Sequence, residues 1–514
     1  MNRELEATWA YHNGTKHSAR SIRAGPHFLD RKNQPLPFKI YTALEPIPLS
    51  RDASRSEYPA LKTISSVETY FDDICVPDLS MLAQLLYYSA GITRRRKDPG
   101  REILFRAASC TGALYHIDLY VVCGDLPGLG AGVYQFDVRE FALRRLREGD
   151  FRGEVIRATG FESSVARAPV VIASASTYWR NAWKYQARTY RHCFWDNGTM
   201  LANMLAMAGA HEVPAQLLVG FEDATVSSLL GLDDLREGAL SLVALGRDRS
   251  APPAPPPEVQ PLNLETEPLS ETEVDYPAIR EMHGASSLRS EADVAEWRSE
   301  IPPTALPSPS GRLFPLRPLA EAEEPIDSIE QVILRRGSTR EFALEPITFA
   351  QLSTILCTAT RGIPADFLDP PGATLNDLYL IVNAVEGLPG GAYVFHREQE
   401  ALELLKEGQF RSEAAFLGLE QALPATASVD VFFLTDLERV LDQFGNRGYR
   451  AAQLEAGIIG GKLYLAAYAQ RLGASGLTFY DEAVTEFFSP HAQGKSVMFL
   501  VALGKSARRK GGAS

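Results

Sequence analysis

The sequence contains little of what marks a secreted, metal-bound or membrane-spanning protein. Its 514 residues include five cysteines, an odd number, and no two of them form a CxxC spacing. No stretch approaches the roughly 18 apolar residues that a spanning helix requires, and the first residues form no apolar signal segment. We therefore expect no disulfide framework, no metal, no membrane partner and a cytoplasmic location.

The chain contains fewer basic residues than acidic residues. Lysine and arginine number 52 against 64 acidic residues, and the formal net charge is -12. Such a chain repels nucleic-acid phosphates, and the short clusters Arg94–Arg96 and Arg508–Lys510 are more typical of solvated loops. Two nucleotide signatures are also missing, because no GxGxxG follows a first strand and no GxxxxGK[ST] occurs. The sequence predicts no nucleic-acid partner and disfavours the Rossmann and P-loop folds.

Length and internal similarity predict the domain plan. Single cores stop growing at about 250–300 residues, so two domains are expected. Four blocks recur in the same order: a helical pattern (82–92 and 352–363), a glycine turn with hairpin strands (from 126 and from 388), a Tyr-Arg pair (190–191 and 449–450) and a closing strand (242–246 and 500–504). Each copy combines helices with hairpin strands. We predict an α+β fold of two fused copies, each with a central mixed or antiparallel sheet flanked by helices.

The copies are predicted to be residues 1–248 and 326–514, joined by a proline-rich linker at 249–325. Within this region the stretch 247–273 is rich in proline, polar and acidic, and this composition predicts that the stretch supports no packed core. A tandem copy is the covalent equivalent of a two-fold dimer, so an intrachain pseudo-dimer is expected, with further oligomerisation left open. A site built between the copies can persist while its equivalent decays.

Alternate positions in the second copy form a candidate phosphate site. Arg336 and Arg340 flank Ser338, and two planar cations around a hydroxyl suit a phosphate monoester. The matching segment of the first copy, 66–71, contains no cation. A turn with solvated arginines is the alternative interpretation, and Lys16, Ser18 and Arg20 form a second, weaker candidate.

The first copy instead carries a candidate proton-transfer pair. Lys184 and Tyr185 align with Gln443 and Phe444 of the second copy. A lysine whose pKa is lowered by burial can accept a proton, and the tyrosine can donate a hydrogen bond. An exposed lysine beside a half-buried aromatic residue is the alternative.

Together with YHNGTKHS at 11–18, ASCTGALYH at 108–116 and LVGFEDATVSSLLGLD at 218–233, these segments resemble the SagB/ThcOx-type dehydrogenases. This is a branch of the FMN-dependent nitroreductase superfamily. The resemblance covers nearly all of the first copy except the arginine pattern, and the second copy less closely. It implies the nitroreductase-like fold for both copies and FMN as the cofactor.

The resemblance also implies roles for particular residues. Arg336, Ser338 and Arg340 would hold the phosphate and ribityl groups of FMN. The segment Ser109, Cys110, Thr111 and Gly112 would lie on that flavin from the first copy, and Thr478 belongs to the stretch 477–480 expected near the flavin N5 atom. The counterparts in the other copy are 370–373 and 219–221, the latter being closer to the family pattern. The first copy lacks the arginine pattern and the second copy lacks the Lys-Tyr pair. These complementary losses predict one composite FMN site per chain.

Three functions remain open. In the first, Lys184 and Tyr185 are the catalytic pair of an FMN-dependent dehydrogenase that oxidises azoline-type rings in a small-molecule or peptide substrate. The second is an NAD(P)H-dependent nitro or quinone reductase, which needs no such pair. The third is a flavin-free scaffold that binds a partner protein.

Overall fold

The structure is a computed structural model that describes residues 2–25, 27–51, 56, 58–66, 74–98, 101–249, 259–298, 306–370 and 372–507. Nine strands lie in its first half: β1 (Pro46–Pro48), β2 (Ile92–Asp98), β3 (Arg101–Arg106), β4 (Ile117–Cys123), β5 (Gly132–Asp137), β6 (Ala142–Glu148), β7 (Val170–Thr177), β8 (Ala215–Leu218) and β9 (Glu237–Leu245). Nine more follow: β10 (Arg312–Pro315), β11 (Ile347–Thr348), β12 (Asp377–Val382), β13 (Val385–Glu386), β14 (Gly391–His396), β15 (Ala401–Glu407), β16 (Val429–Thr435), β17 (Gly473–Leu477) and β18 (Ser496–Gly504).

The helices repeat in the same way. Up to the end of the first half they are α1 (Glu6–Gly14), α2 (Ala19–Ala24), α3 (Ala60–Ile64), α4 (Leu79–Ala90), α5 (Arg152–Ala158), α6 (Ser163–Arg167), α7 (Tyr178–Tyr185), α8 (Thr189–Ala210) and α9 (Asp223–Leu230). The rest are α10 (Pro277–Ala285), α11 (Glu291–Trp297), α12 (Ile329–Arg335), α13 (Phe349–Ala359), α14 (Arg411–Leu417), α15 (Ala422–Thr426), α16 (Leu437–Phe444), α17 (Arg447–Ala469) and α18 (Asp481–Phe488). None of these described helices is both long enough and apolar enough to cross a bilayer.

Two seven-stranded sheets share one topology. Their strand orders are β1-β6-β5-β4-β7-β9-β8 and β10-β15-β14-β12-β16-β18-β17, which correspond strand for strand. Every neighbouring pair within them is antiparallel. Central strands such as β4 and β16 are buried along their whole length, because helices cover both faces of each sheet. The α+β prediction of two fused, duplicated domains is confirmed.

The two halves meet along their longest helices, α8 and α17. Nearly every residue of both helices is buried. Glycines allow the two backbones to approach closely, since a Cβ atom at Gly198 would lie 2.6 Å from the carbonyl carbon of Gly457. A Cβ atom at Gly457 would in turn lie 2.8 Å from the carbonyl oxygen of Phe194. One apolar core consequently contains residues of both halves.

Crossed ion pairs accompany this helix contact. Arg191 of α8 donates from Nη1 to Asp481 Oδ1 at 2.6 Å, and Arg450 of α17 donates from Nη1 to Asp223 Oδ1 at 2.7 Å. Each aspartate is the first residue of a helix in the opposite half. Burial opposes ionisation of Asp481, but Arg188 and Arg191 outweigh it and lower its pKa to about 2. The arginine of each repeated Tyr-Arg pair therefore joins the two halves.

The segment predicted as a linker, 249–325, differs from the expectation. Its described part contains α10 and α11, whose apolar side chains, including Trp297, are buried in the common core. Its last strand, β10, pairs with β15 as the edge of the second sheet. The structure therefore differs from the linker prediction at 277–297, where amphipathic sequence follows the proline-rich stretch.

The hairpin β2–β3 distinguishes the halves. It lies between α4 and β4 in the first half. At the corresponding place of the second half, between α13 and β12, the described residues form no strand. An addition to the duplicated fold therefore lies just before the predicted flavin-contacting segment 109–112.

The close contact between α8 and α17 generates a prediction. In Gly198→Ala the new methyl group meets rigid backbone, and overpacking of this kind costs about 1–3 kcal/mol. We expect a lower thermal unfolding temperature and a lower denaturant midpoint. Gly284→Ala is the matched control, since its Cβ atom would meet no atom within 4 Å. Equal unfolding of the two variants would contradict the close packing.

Candidate functional site

The predicted phosphate residues lie where the chain leaves α12. The helix ends at Arg335, and the following segment runs along β17, with the Thr339 amide donating to the Ala474 carbonyl at 2.9 Å. The Ser338 hydroxyl is 3.4 Å from the hydroxyl of Tyr464 on α17. The arginine-serine segment is thus held between the second sheet and its central helix.

Arg336 reaches across to the first half. Its Nε donates to the Ala107 carbonyl at 2.9 Å and its Nη2 to the Arg106 carbonyl at 3.2 Å. Burial lowers the pKa of Arg336. Arg340 is exposed. The structure brings Arg336 to the segment that leads directly into Ser109–Gly112.

A buried carboxylate anchors that segment. Asp196 Oδ1 accepts hydrogen bonds from the amide and the hydroxyl of Thr111, both at 2.8 Å. Its Oδ2 accepts from the Cys110 thiol at 3.1 Å and lies 2.9 Å from His116 Nε2. Burial and the neighbouring Asp196 raise the pKa of Cys110, so the thiol keeps its proton and acts as a donor. Asp196 therefore fixes the backbone at 110–111.

The same anchor exists in the other half with different side chains. The first half uses Asp196, His116 and Ser176, and the second half uses Glu455, Asn376 and Thr435. The sheet registers align Asn376 with Ile117, the residue after His116, so the two anchors are similar and not identical in position. Glu455 accepts from the Leu375 amide at 2.9 Å and from the Asn376 amide group at 2.7 Å. Thr435 donates to Asn376 Oδ1 at 2.7 Å. We interpret the network as an inherited support for the loop before β4 and before β12.

This duplication bears on a metal-like cluster. Cys110, His116 and Asp196 place a thiol, an imidazole and a carboxylate within 4.8 Å of one another, which are donor types that transition metals accept. Hydrogen bonds already join these groups, and the second half builds its equivalent without cysteine or histidine. The arrangement is accounted for as a loop anchor.

Lys184 and Tyr185 lie beside the anchored segment. A Cβ atom at Gly112 would be 2.8 Å from the Tyr185 hydroxyl, and the φ of Gly112 is +65°, so this close approach requires glycine. The Lys184 Nζ is 5.0 Å from the centre of the Tyr185 ring. Burial lowers the pKa of Lys184, and the positive charges of Arg340 and Arg31 lower it further. Burial raises the pKa of Tyr185.

These residues fit a phosphorylated flavin. Among the described residues, Arg336 Nη1 donates to no protein atom, and the buried Thr478 hydroxyl has no hydrogen-bond partner. Gly337 leaves space between the arginine and the serine, since only the Tyr468 hydroxyl, at 3.7 Å, would come near its Cβ atom. Cations and a hydroxyl are groups that suit a phosphate, and the Thr478 hydroxyl is a further polar group that can accept a ligand.

Protein atoms fill the equivalent cleft of the first half. The amides of Val219 and Gly220, in the stretch that corresponds to 477–480, both donate to the Asp366 carboxylate at 2.9 Å. Arg298 Nη2 donates to the Gly220 carbonyl at 2.8 Å. Burial raises the pKa of Asp366, against the opposing effect of Arg298. The backbone groups there already have partners.

Trp297 covers the same cleft. Its ring would be 2.9 Å from a Cβ atom at Gly220, and only 1% of its surface is exposed. The indole packs at 5.5 Å between ring centres on Phe444, the counterpart of Tyr185. A flavin ring and this indole cannot share the space.

Other predicted residues are engaged elsewhere or not described. Lys16 is 3.7 Å from Glu482, and the Ser18 hydroxyl accepts from the Ser21 amide at the start of α2. The segments 67–71 and 508–510, and residue 371 of the stretch 370–373, lie outside the described residues.

A cavity of about 490 Å³ lies beside the other end of α7. Its lining includes Lys39, Arg180 and Glu237, but none of the predicted site residues. Lys39 and Glu237 form a buried ion pair at 2.7 Å, and Arg180 donates to Asp118 at 2.8 Å. The charges of Lys39, Glu237 and Arg180 at this cavity are thus paired with other protein groups.

Sequence reasoning missed Asp196, Asp366 and Trp297. A carboxylate inside the long and mostly apolar helix α8 was a usable signal for Asp196, because such groups are buried only with partners. Trp297 lies in the segment assigned to a linker, where a tryptophan is out of keeping with a solvated chain. Asp366 carried no comparable signal.

Comparisons with known proteins agree with this architecture. The sequence matches the nitroreductase family over residues 84–247 and again over 333–505. A putative nitroreductase of Methanocaldococcus jannaschii is 29% identical over 165 residues, which cover 31% of this chain and 82% of that protein. The crystal structure of a putative nitroreductase from Anabaena variabilis is 25% identical and superposes with a TM-score of 0.77, covering 98% of this chain and 99% of that chain.

The anchor role of Asp196 is testable without any ligand. Asp196→Ala removes the acceptor of the Thr111 amide, the Thr111 hydroxyl and the Cys110 thiol, and each lost hydrogen bond to a charged group costs about 1.5–3 kcal/mol. We expect a lower unfolding temperature and faster hydrogen exchange of the Thr111 amide. Asp125→Ala, which removes an acceptor in an exposed turn at the Ala131 amide, is the control. Unchanged exchange at Thr111 would remove the anchor role.

Proposed function

Because the chain belongs to the nitroreductase family, we propose that it is an FMN-dependent oxidoreductase with one composite flavin site. The observation that carries the proposal is an asymmetry between two equivalent clefts. At one cleft Arg336 of the second half contacts the segment that leads to Ser109–Gly112 of the first half. At the other, Asp366 and Trp297 fill the space.

The residues divide into two ends of the proposed site. Arg336, Ser338 and Arg340 would bind the phosphate and ribityl groups, since they supply cations and a hydroxyl. The backbone of Ser109–Gly112, with Cys110 and Thr111 held by Asp196, would face the ring, as would the Thr478 hydroxyl. Bound FMN would supply the hydride acceptor or donor of the reaction.

The Lys184–Tyr185 pair favours a SagB-type dehydrogenase. We propose that Lys184 Nζ accepts the proton that leaves a substrate carbon, since its lowered pKa favours the neutral amine. Tyr185 keeps its proton, so its hydroxyl serves as a donor that orients the substrate beside Gly112. A thiazoline or oxazoline ring in a peptide suits this chemistry, because its oxidation removes one hydride and one proton.

The names of the two relatives favour a second candidate. Both are putative nitroreductases, and a nitro or quinone reductase fed by NAD(P)H needs no proton acceptor at Lys184. The two candidates separate when NADPH is mixed with the flavin-loaded protein. Rapid loss of the visible flavin absorbance favours the reductase, whereas loss only with an azoline peptide favours the dehydrogenase.

Titration with FMN tests the composite site. We expect the flavin absorbance to saturate at one FMN per chain, because the second cleft is filled by protein atoms. Arg336→Ala should weaken binding about tenfold or more, since a charge-assisted contact to phosphate is lost. Saturation at two FMN per chain would contradict the single composite site. A protein that binds no FMN would instead be a flavin-free scaffold.

Lys184→Ala tests the proton acceptor. With an azoline peptide we expect the turnover rate to fall by about 10²–10⁴-fold while FMN binding is kept. In the wild type the turnover rate should rise with pH, with an apparent pKa below the usual lysine value of 10.5. The variant should lose this pH dependence. Lys62→Ala is the matched control, because Lys62 also lies over a tyrosine ring, at 5.5 Å from the centre of Tyr58. Full turnover by Lys184→Ala would exclude the assigned role.

A further inference from the structure

The hairpin β2–β3 carries cations that the proposed function leaves unused. Arg94, Arg95, Arg96 and Lys97 are all exposed on β2. The hairpin leads directly into the flavin-contacting segment, and the Ala107 amide donates to the Gly91 carbonyl at 2.9 Å across its base. In a chain of net charge -12, this basic strand is a local exception.

The two faces of the hairpin differ. Arg94 is the register partner of Phe105, and its guanidinium carbon lies 4.4 Å from the centre of that ring. Arg95 is the partner of Leu104 on the opposite face, where its Nη1 is 3.2 Å from Glu102 Oε2. Arg95 is thus paired with a carboxylate, whereas Arg94 rests on an aromatic face that leaves a planar cation able to receive an anion.

Arg94 lies on the hairpin whose second strand ends at the residue that Arg336 contacts. Arg336 donates to the carbonyl of Arg106, the residue that follows the Arg94 partner Phe105. Burial lowers the pKa of Arg336, Tyr464 and other tyrosines oppose this, and the positive charge of Arg94 adds to the lowering. The guanidinium of Arg336 thus contacts the residue next to the Arg94 partner, and an anion bound by both guanidiniums would offset their repulsion.

We propose that Arg94 is a further ligand of the FMN phosphate, contributed by the first half to the cradle of Arg336, Ser338 and Arg340. The inference rests on the proposed function and extends it. The added hairpin then has a role at the cofactor, and both ends of the flavin are held by both halves. A phosphate group is the partner because it can accept from two planar cations at once.

Comparison of FMN with riboflavin tests this assignment, since riboflavin lacks the phosphate. Binding is measured by flavin fluorescence titration of the full-length wild type, Arg94→Ala and Arg95→Ala. We expect Arg94→Ala to bind FMN about tenfold more weakly or worse, with unchanged affinity for riboflavin. Arg95→Ala should bind both ligands as the wild type does. Inorganic phosphate should leave riboflavin binding unchanged in all three proteins. It should compete with FMN more strongly in the wild type than in Arg94→Ala.

Two outcomes overturn the role of Arg94. One is wild-type FMN affinity in Arg94→Ala, and the other is an equal loss of FMN and riboflavin, which would indicate a general effect on the site. Failure of the proposed function is distinguishable, because the wild type would then bind neither flavin. Circular dichroism of each variant checks that this exposed substitution leaves the fold unchanged.

Discussion

The contact between α8 and α17 is the constraint on which the rest of the structure depends. Two backbones approach at Gly198 and Gly457, and the surrounding buried arginines find their carboxylates only in the opposite half. Breaking such a pair leaves an uncompensated buried charge, which costs about 3–5 kcal/mol. Each half therefore completes the other's core. The Tyr-Arg pair occurs in both copies of the sequence, and its arginine forms these ion pairs.

The same helix pair positions both ends of the candidate site. Asp196 on α8 holds the backbone at 110–111, and Tyr464 on α17 lies against Ser338. Because the two helices are packed backbone to backbone, these supports cannot move independently. The two supports of the composite site are therefore joined through one helix contact. Its geometry derives from the interface between halves.

The two clefts lie on sheets of the same topology and differ in their side chains and in the segments that occur only once in the chain, α11 and the hairpin β2–β3. The sheets agree strand for strand, and even the loop anchor recurs, with Glu455 replacing Asp196. The side chains differ at a few positions. Tyr185 faces Gly112 in one cleft, while Trp297 covers Phe444 in the other.

The α+β duplication could be predicted from the sequence because it depends on repeated local patterns. The filling of one cleft could not, since Asp366 and Gly220 are brought together only by the tertiary fold. The segment around Trp297 was misjudged because its proline-rich beginning dominated the composition.

The position of α11 in the connecting segment has a consequence for how such a protein can arise. In a dimer of identical chains, any element that closed one cleft would close its symmetry mate as well, and no functional centre would survive. A segment that exists once per molecule escapes this rule. Fusion of the two copies supplied such a segment, and Trp297 at its end occupies a single cleft. The filling of one cleft therefore follows from the connectivity of the chain, so the two clefts differ whatever ligands are present.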